Sequence, residues 1–221
     1  MAAAMGETSG ASGMSTAGTT MDVPAAGPVA FERFGGACAI AAGVTGFLYA
    51  ISFVVLRSEG LSGLFLLLGG LLGTAVYVAL HERFKRVDAP LALWAALLGV
   101  AAGLGSAMHA GYDLANVINP PASLPDIPSP IDPRGMMTFG VAGLAVGIVS
   151  RLVVRTRTLP TGVGYLGYLL AVLLVAIYLA RLVILDATNP VIVALVLVAG
   201  FVVNPVWYVW LGLSLWRRPR P

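Results

Sequence analysis

Residues 90 to 121, PLALWAALLGVAAGLGSAMHAGYDLANVINPP, decide the fold class of this chain. The segment is apolar from Pro90 onwards and carries His109 and Asp113 near its far end. An α-helix rises about 1.5 Å per residue, so Pro90 to His109 spans roughly 30 Å, the thickness of the hydrocarbon core of a bilayer. The segment is therefore predicted to be a transmembrane helix with a polar far end.

Composition extends this prediction to the whole chain. Of the 221 residues, 58% are hydrophobic and 10% are charged, and the mean hydropathy is +0.91. Soluble domains carry about 25% charged residues, so this chain has too few to cover a water-facing surface. The net charge of +3 would suggest nucleic acid in a soluble protein. Here the positive-inside rule explains the basic residues, so the expected surroundings are a lipid bilayer and no nucleic acid.

The fold class predicted is all-α, a polytopic membrane bundle of six transmembrane helices. Asp88, Asp132 and Asn189 each lie one or two residues before a proline, the pattern of a helix N-cap followed by proline in the first turn. The single cysteine, Cys38, lies in an apolar run and is predicted to be a packing residue. The predicted spans are 34–56, 61–80, a third from 90, 136–154, 162–185 and 190–216.

Two segments are predicted to lie outside the helices. Residues 1–29 are rich in Ala, Gly, Ser and Thr and are expected to be disordered, because they cannot bury enough apolar surface to offset their ordering entropy. The six-helix domain is then 30–221. Within it, 119–133 is rich in proline, which favours an extended, polyproline-like outer loop.

Charge gives the predicted orientation. Six spans place both termini on one side of the membrane, and ten of the 13 Lys and Arg residues fall on that side. The other three are Arg57, Arg134 and Arg181. Because basic residues concentrate in cytoplasmic loops, the termini are predicted to be cytoplasmic and the protein is predicted to lie in a bacterial plasma membrane.

Small residues four positions apart predict close helix packing. Lipid tails are as apolar as leucine, so membrane helices associate where small side chains let backbones approach. Pro205 removes a hydrogen bond to the Phe201 carbonyl and should kink the sixth span, and Asn204 could satisfy a freed backbone group or bond to a neighbouring helix. The small-residue pairs are Ala39 and Gly43, Gly69 and Gly73, Gly99 and Gly103, and Gly143 and Gly147.

The sequence lacks the usual signs of an enzyme. It has no nucleotide-binding loop, zinc-ligand spacing or nucleophile elbow, so no catalytic residue and no metal ligand is predicted, and no cofactor is identified. An intramembrane enzyme would need paired carboxylates or metal ligands inside the bilayer. An enzymatic role is therefore not favoured.

A polar cluster at the outer ends of the third and fifth spans is the candidate ligand-binding site. His109 and Asp113 are four residues apart and share a helix face. Arg181 lies at similar depth, and an Asp113–Arg181 ion pair is predicted because ionisable groups at depth face the protein interior or water. The alternative is that Arg181 reaches out to the interface and Asp113 is solvated. The candidate residues are His109, Tyr112, Asp113, Tyr178 and Arg181.

The last third of the chain carries a resemblance to a known family. Its features are Arg157-Thr158-Leu159-Pro160 leading into Gly164-Tyr165-Leu166-Gly167, and the closing Pro205-Val206-Trp207-Tyr208-Val209-Trp210-Leu211-Gly212-Leu213. In these the chain resembles the bacterial six-span membrane proteins of the domain of unknown function 4386 family. The resemblance implies the fold and the bacterial membrane location, and it implies no activity.

Two functions are compatible with the sequence. The first is a non-enzymatic accessory or assembly subunit whose helices pack against protein partner subunits, as the sparse polar residues and glycine-rich faces suggest. The second is a binder or carrier of a small lipophilic molecule, such as a quinone, a pigment or a lipid, held by the outer polar cluster. A stoichiometric protein partner after mild purification would favour the first, and a co-purifying small molecule the second.

Overall fold

The computed structural model of the chain describes residues 28–120, 135–184 and 189–217. Three predictions lie outside them: the disorder of the N-terminal segment as far as residue 27, the extended proline-rich loop, and the Asp132 cap. The described part of the chain is helical throughout apart from short connections, and it contains no strand. The all-α prediction is confirmed.

Six helices are long and apolar enough to cross a membrane, which confirms the predicted number of spans. We refer to them as the first to sixth spans. They are Ala30–Val55, Glu59–Phe84, Ala89–Ile118, Met136–Thr156, Thr161–Ile184 and Pro190–Trp216.

Three of the six spans contain a π-helical segment. The first span is α-helical over Pro28–Ala50 and ends in a π-helix at Ile51–Val55, and the fourth begins with a π-helix at Met136–Val141 before its α-helix. The sixth is interrupted by the π-helix Ala199–Val203. In the fourth span the π-helix is followed by the α-helix Ala142–Thr156. In the sixth span it lies between the α-helices Pro190–Val198 and Asn204–Trp216.

The predicted helix starts are confirmed where the structure describes them. The Asp88 carboxylate accepts a hydrogen bond from the Leu91 amide at 3.2 Å, and the Asn189 side chain accepts one from the Val191 amide at 3.0 Å. Both residues precede a proline in the first turn, which loses no intrahelical bond by lacking an amide hydrogen. The third span is longer than a bilayer crossing requires, because it continues to Ile118, past both His109 and Asp113.

The six spans form a closed ring. Each span packs on its neighbours along the chain, and the sixth returns to pack on the first. Near the termini, the first and sixth spans touch backbone to backbone, because a Cβ on Gly212 would stand 2.6 Å from the Gly36 carbonyl oxygen. The second and third spans approach equally closely, since a Cβ on Gly103 would stand 2.7 Å from the Gly70 carbonyl oxygen. These contacts show the close packing that the small residues predict.

The four predicted small-residue pairs do not all play this role. Gly43, Gly99 and Gly143 lie against neighbouring spans, and Ala39 is fully buried. Gly73 is different, because a Cβ added there would meet no atom within 4 Å. Gly73 therefore faces open space inside the ring, and the close packing predicted from the four pairs taken together comes from other positions.

One end of the ring, the terminal end, holds the start of the first span and the end of the sixth, and it is tightly packed. The largest side chains in the core there, including Phe84, Leu152 and Trp207, are at most 1% exposed. The Trp207 indole nitrogen donates a hydrogen bond to the Val163 carbonyl at 3.1 Å, which links the fifth and sixth spans. Cys38 is buried in this core, as predicted for a packing residue.

Charged side chains tie the helices together at the terminal end. Arg83 pairs with Glu32 of the first span at 2.9 Å and donates to the Thr158 carbonyl at 3.1 Å, in the turn between the fourth and fifth spans. Arg155 pairs with Asp88 at 3.0 Å, which joins the fourth span to the start of the third. Five of the six spans are therefore fixed at this end by two arginines.

The opposite end of the ring, the loop end, is built differently. All three π-helical segments lie in that half or at the middle of the bundle. The π-helix Ala199–Val203 ends two residues before Pro205 in the sixth span. The kink expected at Pro205 stays a prediction. The part of the sixth span that precedes this π-helix, Pro190–Val198, packs on the fifth span.

Candidate functional site

A cavity of about 260 Å³ lies inside the ring, from the middle of the bundle towards the loop end. All six spans contribute to its wall, so it is a central feature of the fold and not a crevice between two helices. The wall is mostly apolar, with a few polar side chains. The polar residues include Tyr49, Tyr77, Thr138, Arg181, Asn204 and Tyr208.

Glycines are frequent in the cavity wall. Seven of them, from four spans, line the cavity, and Gly73 is the one whose added Cβ would meet nothing within 4 Å. The others lie against neighbouring atoms, and Gly70 and Gly103 hold two helices close together. Gly73 is thus the glycine that leaves space at the centre of the ring. The remaining glycines of the wall are Gly46, Gly69, Gly99 and Gly200.

Each π-helical segment contributes to the wall of this cavity. The first supplies Phe53 and Val54, and the second supplies Thr138 and Phe139. The third, Ala199–Val203, supplies its first two residues. A π-helical turn is rare and is frequently found at functional sites. Three such segments around one cavity mark it as the candidate binding site.

Arg181 brings a positive charge to the loop end of the cavity. It lies on the fifth span, one helical turn after the buried, cavity-lining Ile177. Its guanidinium Nη1 stands 3.7 Å from the position that a Cβ on Gly135 would occupy, at the start of the fourth span. The Tyr49 hydroxyl of the first span is within electrostatic range of both Arg181 and Asp113.

The predicted site is divided by the structure. His109 Nε2 lies 3.4 Å from Asp113 Oδ2, which confirms that the two residues share a helix face. They do not line the cavity, and neither does Tyr112, which is 40% exposed. Asp113 stands two helical turns, about 10 Å, beyond the cavity-lining Ser106. It therefore lies beyond the cavity wall, on the loop-end side.

Of the five candidates, Arg181 is the one that lines the cavity. Tyr178, on the same helix, packs its ring against Gly140, with Cδ1 3.1 Å from the position of an added Cβ. Within residues 28–120, 135–184 and 189–217, Asp113 and Arg181 form no direct ion pair. The direct pair expected from the sequence is thus replaced by a looser group in which Tyr49 is within electrostatic range of both charges.

The inner end of the cavity is closed by two tyrosines. Tyr77 is 3% exposed, with its ring lying over Gly99. The Tyr208 hydroxyl is close to that of Tyr77, but the Tyr77 hydroxyl makes no hydrogen bond of good geometry to any described group. Tyr208 is held by the Trp207 ring, edge to face with centroids 4.8 Å apart. A buried hydroxyl that has no hydrogen-bond partner in the protein can bond to a water or to a polar atom of a ligand.

Sequence reasoning missed most of the polar wall. Tyr49, Tyr77 and Tyr208 lie in apolar runs, where a tyrosine is indistinguishable from a packing aromatic. The usable signal was the coincidence of Tyr49, Thr138 and Arg181 at one depth, each within two turns of the loop end of its span. Asn204 was noticed for its position beside Pro205, and the structure adds that it lines the cavity.

The site shows no metal-binding arrangement in the part of the chain that the structure describes, where no three His, Cys, Asp or Glu residues cluster. No family model matches the chain, and no curated protein or solved structure is significantly similar to it. The resemblance in the last third of the sequence therefore stays a prediction.

Proposed function

We propose that this integral membrane protein binds a small lipophilic molecule in the cavity at the centre of its ring of helices. The observation that carries the proposal is the cavity itself, lined by all six spans, by seven glycines and by all three π-helical segments. Binding sites for small molecules are typically concave and mostly apolar, with a few polar groups that fix orientation. This cavity has that composition.

Energetics argue against a permanently empty space. An unfilled apolar space forfeits the packing contacts of the side chains that line it. A lipophilic occupant would supply those contacts, which supports a binding role.

The cavity volume indicates the size of the occupant. An engineered cavity of about 150 Å³ holds benzene, so by proportion about 260 Å³ holds a molecule of roughly ten non-hydrogen atoms. A whole phospholipid or a long-chain quinone would not fit inside. Only a head group, a ring or a short chain of such a molecule could enter.

Entry from the bilayer is supported by the first span. Phe53 lines the cavity and is also 57% exposed on the outside of the ring, so the wall there is one side chain thick. Its ring stacks on that of Tyr49, with centroids 5.8 Å apart. Movement of this aromatic pair would connect the cavity with the lipid, which is where a lipophilic molecule is concentrated.

Membrane location and orientation are part of the proposal. The protein would lie in a bacterial plasma membrane with both termini in the cytoplasm and the cavity opening towards the outer face. The excess of Lys and Arg at the terminal end supports this orientation through the positive-inside rule. A role as an accessory subunit remains a prediction from the sequence, and the purification described next would reveal a stoichiometric protein partner.

The test fills the cavity. Gly73→Leu places a side chain into open space, and Gly111→Leu is a matched control, because a Cβ at Gly111 also meets nothing within 4 Å but that residue does not line the cavity. Each full-length protein is purified in mild detergent and its binding of radiolabelled octanol is measured. We expect saturable binding to wild type and to Gly111→Leu, and at least a ten-fold loss in Gly73→Leu. Equal uptake by all three proteins would refute the proposal.

A further inference from the structure

We infer that the molecule bound in this cavity is a lipophilic acid whose negatively charged head group is held by Arg181. The inference rests on the proposed function and adds the chemistry of the head group to it. Its apolar body would point from the loop end towards the middle of the bundle, along the glycine-lined wall.

The charge of the wall is the first argument. Among the described residues that line the cavity, Arg181 is the only Lys, Arg, His, Asp or Glu. The described wall therefore carries a net charge of +1 next to an apolar interior. Charges interact far more strongly in such surroundings than in water, so an anion is favoured there and a cation is excluded.

Arg181 itself lacks a carboxylate partner in the part of the chain that is described. The ion pairs there join Arg83 to Glu32, Lys85 to Glu82, His109 to Asp113 and Arg155 to Asp88. An arginine at membrane depth is costly unless it is paired or wet. A bound anionic head group would supply the partner.

Asp113 does not take the place of that head group. It lies beyond the cavity wall on its own helix, and its carboxylate oxygen Oδ2 stands 3.4 Å from His109 Nε2. Arg181 remains the charged group that faces the cavity.

The geometry of a guanidinium defines the head group further. Arginine donates hydrogen bonds and accepts none, and its planar fork matches two oxygens of one carboxylate. A neutral alcohol offers a single uncharged oxygen, and a protonated amine offers no acceptor at all.

The experiment compares three probes of equal length at neutral pH: octanoate, octanol and octylamine. Binding of each radiolabelled probe to full-length protein in mild detergent is measured, and Gly73→Leu supplies the background from micelles. We expect octanoate to bind wild type at least ten-fold more tightly than octanol, and octylamine to bind weakest. Arg181→Gln should weaken octanoate binding about 10- to 100-fold and leave octanol unchanged, since charged hydrogen bonds are lost.

Arg57→Gln is the matched control, because Arg57 is an exposed cation at the loop end that does not line the cavity. Its octanoate binding should equal that of wild type. If octanoate and octanol bind equally and both are lost in Gly73→Leu, the inference that the ligand is an acid is refuted and the proposed function stands. The same inference would be refuted if Arg57→Gln lost the preference for octanoate over octanol, or if Arg181→Gln kept that preference. No cavity-dependent binding of any probe would overturn both.

The ranking of the three probes on wild type decides the matter even if Arg181→Gln does not fold. Arg181→Lys then serves as the second variant, because it keeps the charge and loses the planar fork. It should retain a preference for octanoate over octanol that is smaller than that of wild type. A reversed ranking in wild type, with octanol tighter than octanoate, would refute the inference.

Discussion

Two glycines with the same sequence signature should respond in opposite ways to the same substitution. Gly73 and Gly103 each end a small-residue pair, but a Cβ at Gly103 would stand 2.7 Å from the Gly70 carbonyl oxygen, whereas a Cβ at Gly73 would meet nothing within 4 Å. Real Cβ atoms do not approach a backbone oxygen so closely. Gly103→Ala must therefore push the second and third spans apart, and Gly73→Ala need not move anything.

The expected magnitudes follow from these distances. Replacing glycine by alanine in a helix stabilises it by up to about 1 kcal/mol, so Gly73→Ala should be neutral to stabilising by that amount. Overpacking a tight contact costs about 1–3 kcal/mol, so Gly103→Ala should be destabilised by up to about 2 kcal/mol after the helix gain of about 1 kcal/mol is subtracted. Gly111→Ala, with open space outside the cavity, should behave like Gly73→Ala.

The assay is reversible unfolding of the purified protein, followed by circular dichroism as a denaturing detergent is added to mixed micelles. Wild type and the three alanine variants are compared under one set of conditions, and the free energies of unfolding are taken from the linear region. A Gly103→Ala protein as stable as Gly73→Ala would refute the reasoning, since it would mean that the close approach of the second and third spans is not required.

Three further predictions concern orientation and charge. A cysteine at Ser129 should react with an impermeant thiol reagent on intact cells, and one at Thr158 should not, in a cysteine-free background; the reverse labelling would invert the topology. Arg83→Gln should cost about 1–3 kcal/mol of unfolding free energy in detergent, since the pair is largely buried and also bonds a turn; no loss would show that it contributes nothing. In a double-mutant cycle the changes in unfolding free energy caused by Asp113→Asn and Arg181→Gln should add within about 0.5 kcal/mol, and a coupling near 2 kcal/mol would be evidence for the direct ion pair.

The spans were predictable because their signals are local. An apolar run of bilayer length, a capping side chain before a proline and a basic cluster at one end need no knowledge of neighbouring helices. Asp88 and Asn189 cap their helices as their sequence context predicts. The ends of the spans were less well defined. The third span, for example, continues to Ile118, because nothing in the sequence around Asp113 opposes a helix.

The site was only partly predictable because its determinants are tertiary. Arg181 was found from its charge in an apolar run, and it lines the cavity. His109 and Asp113 were found on the same grounds, yet they do not line the cavity, because they follow the cavity-lining Ser106 by about 5 Å and about 10 Å along the helix. Their depth along the helix could be estimated from sequence. The level at which the ring of six helices opens could not, because it depends on where the spans separate.

The contrast between the two ends of the bundle gives a physical reason for that opening. At the terminal end, Gly36 and Gly212 let the first and sixth spans touch, and Arg83 and Arg155 bind the spans together. Towards the loop end, regular α-helix gives way to π-helix in three spans, and Gly73 leaves open space at the centre. Filling the ring with leucines would have been energetically simpler, since packed interiors avoid the cost of a void. In this chain one end of the bundle is closed and the other holds a cavity. The one charged residue that lines the described cavity wall, Arg181, lies towards that open end. A binding role therefore fits the structure better than packing alone.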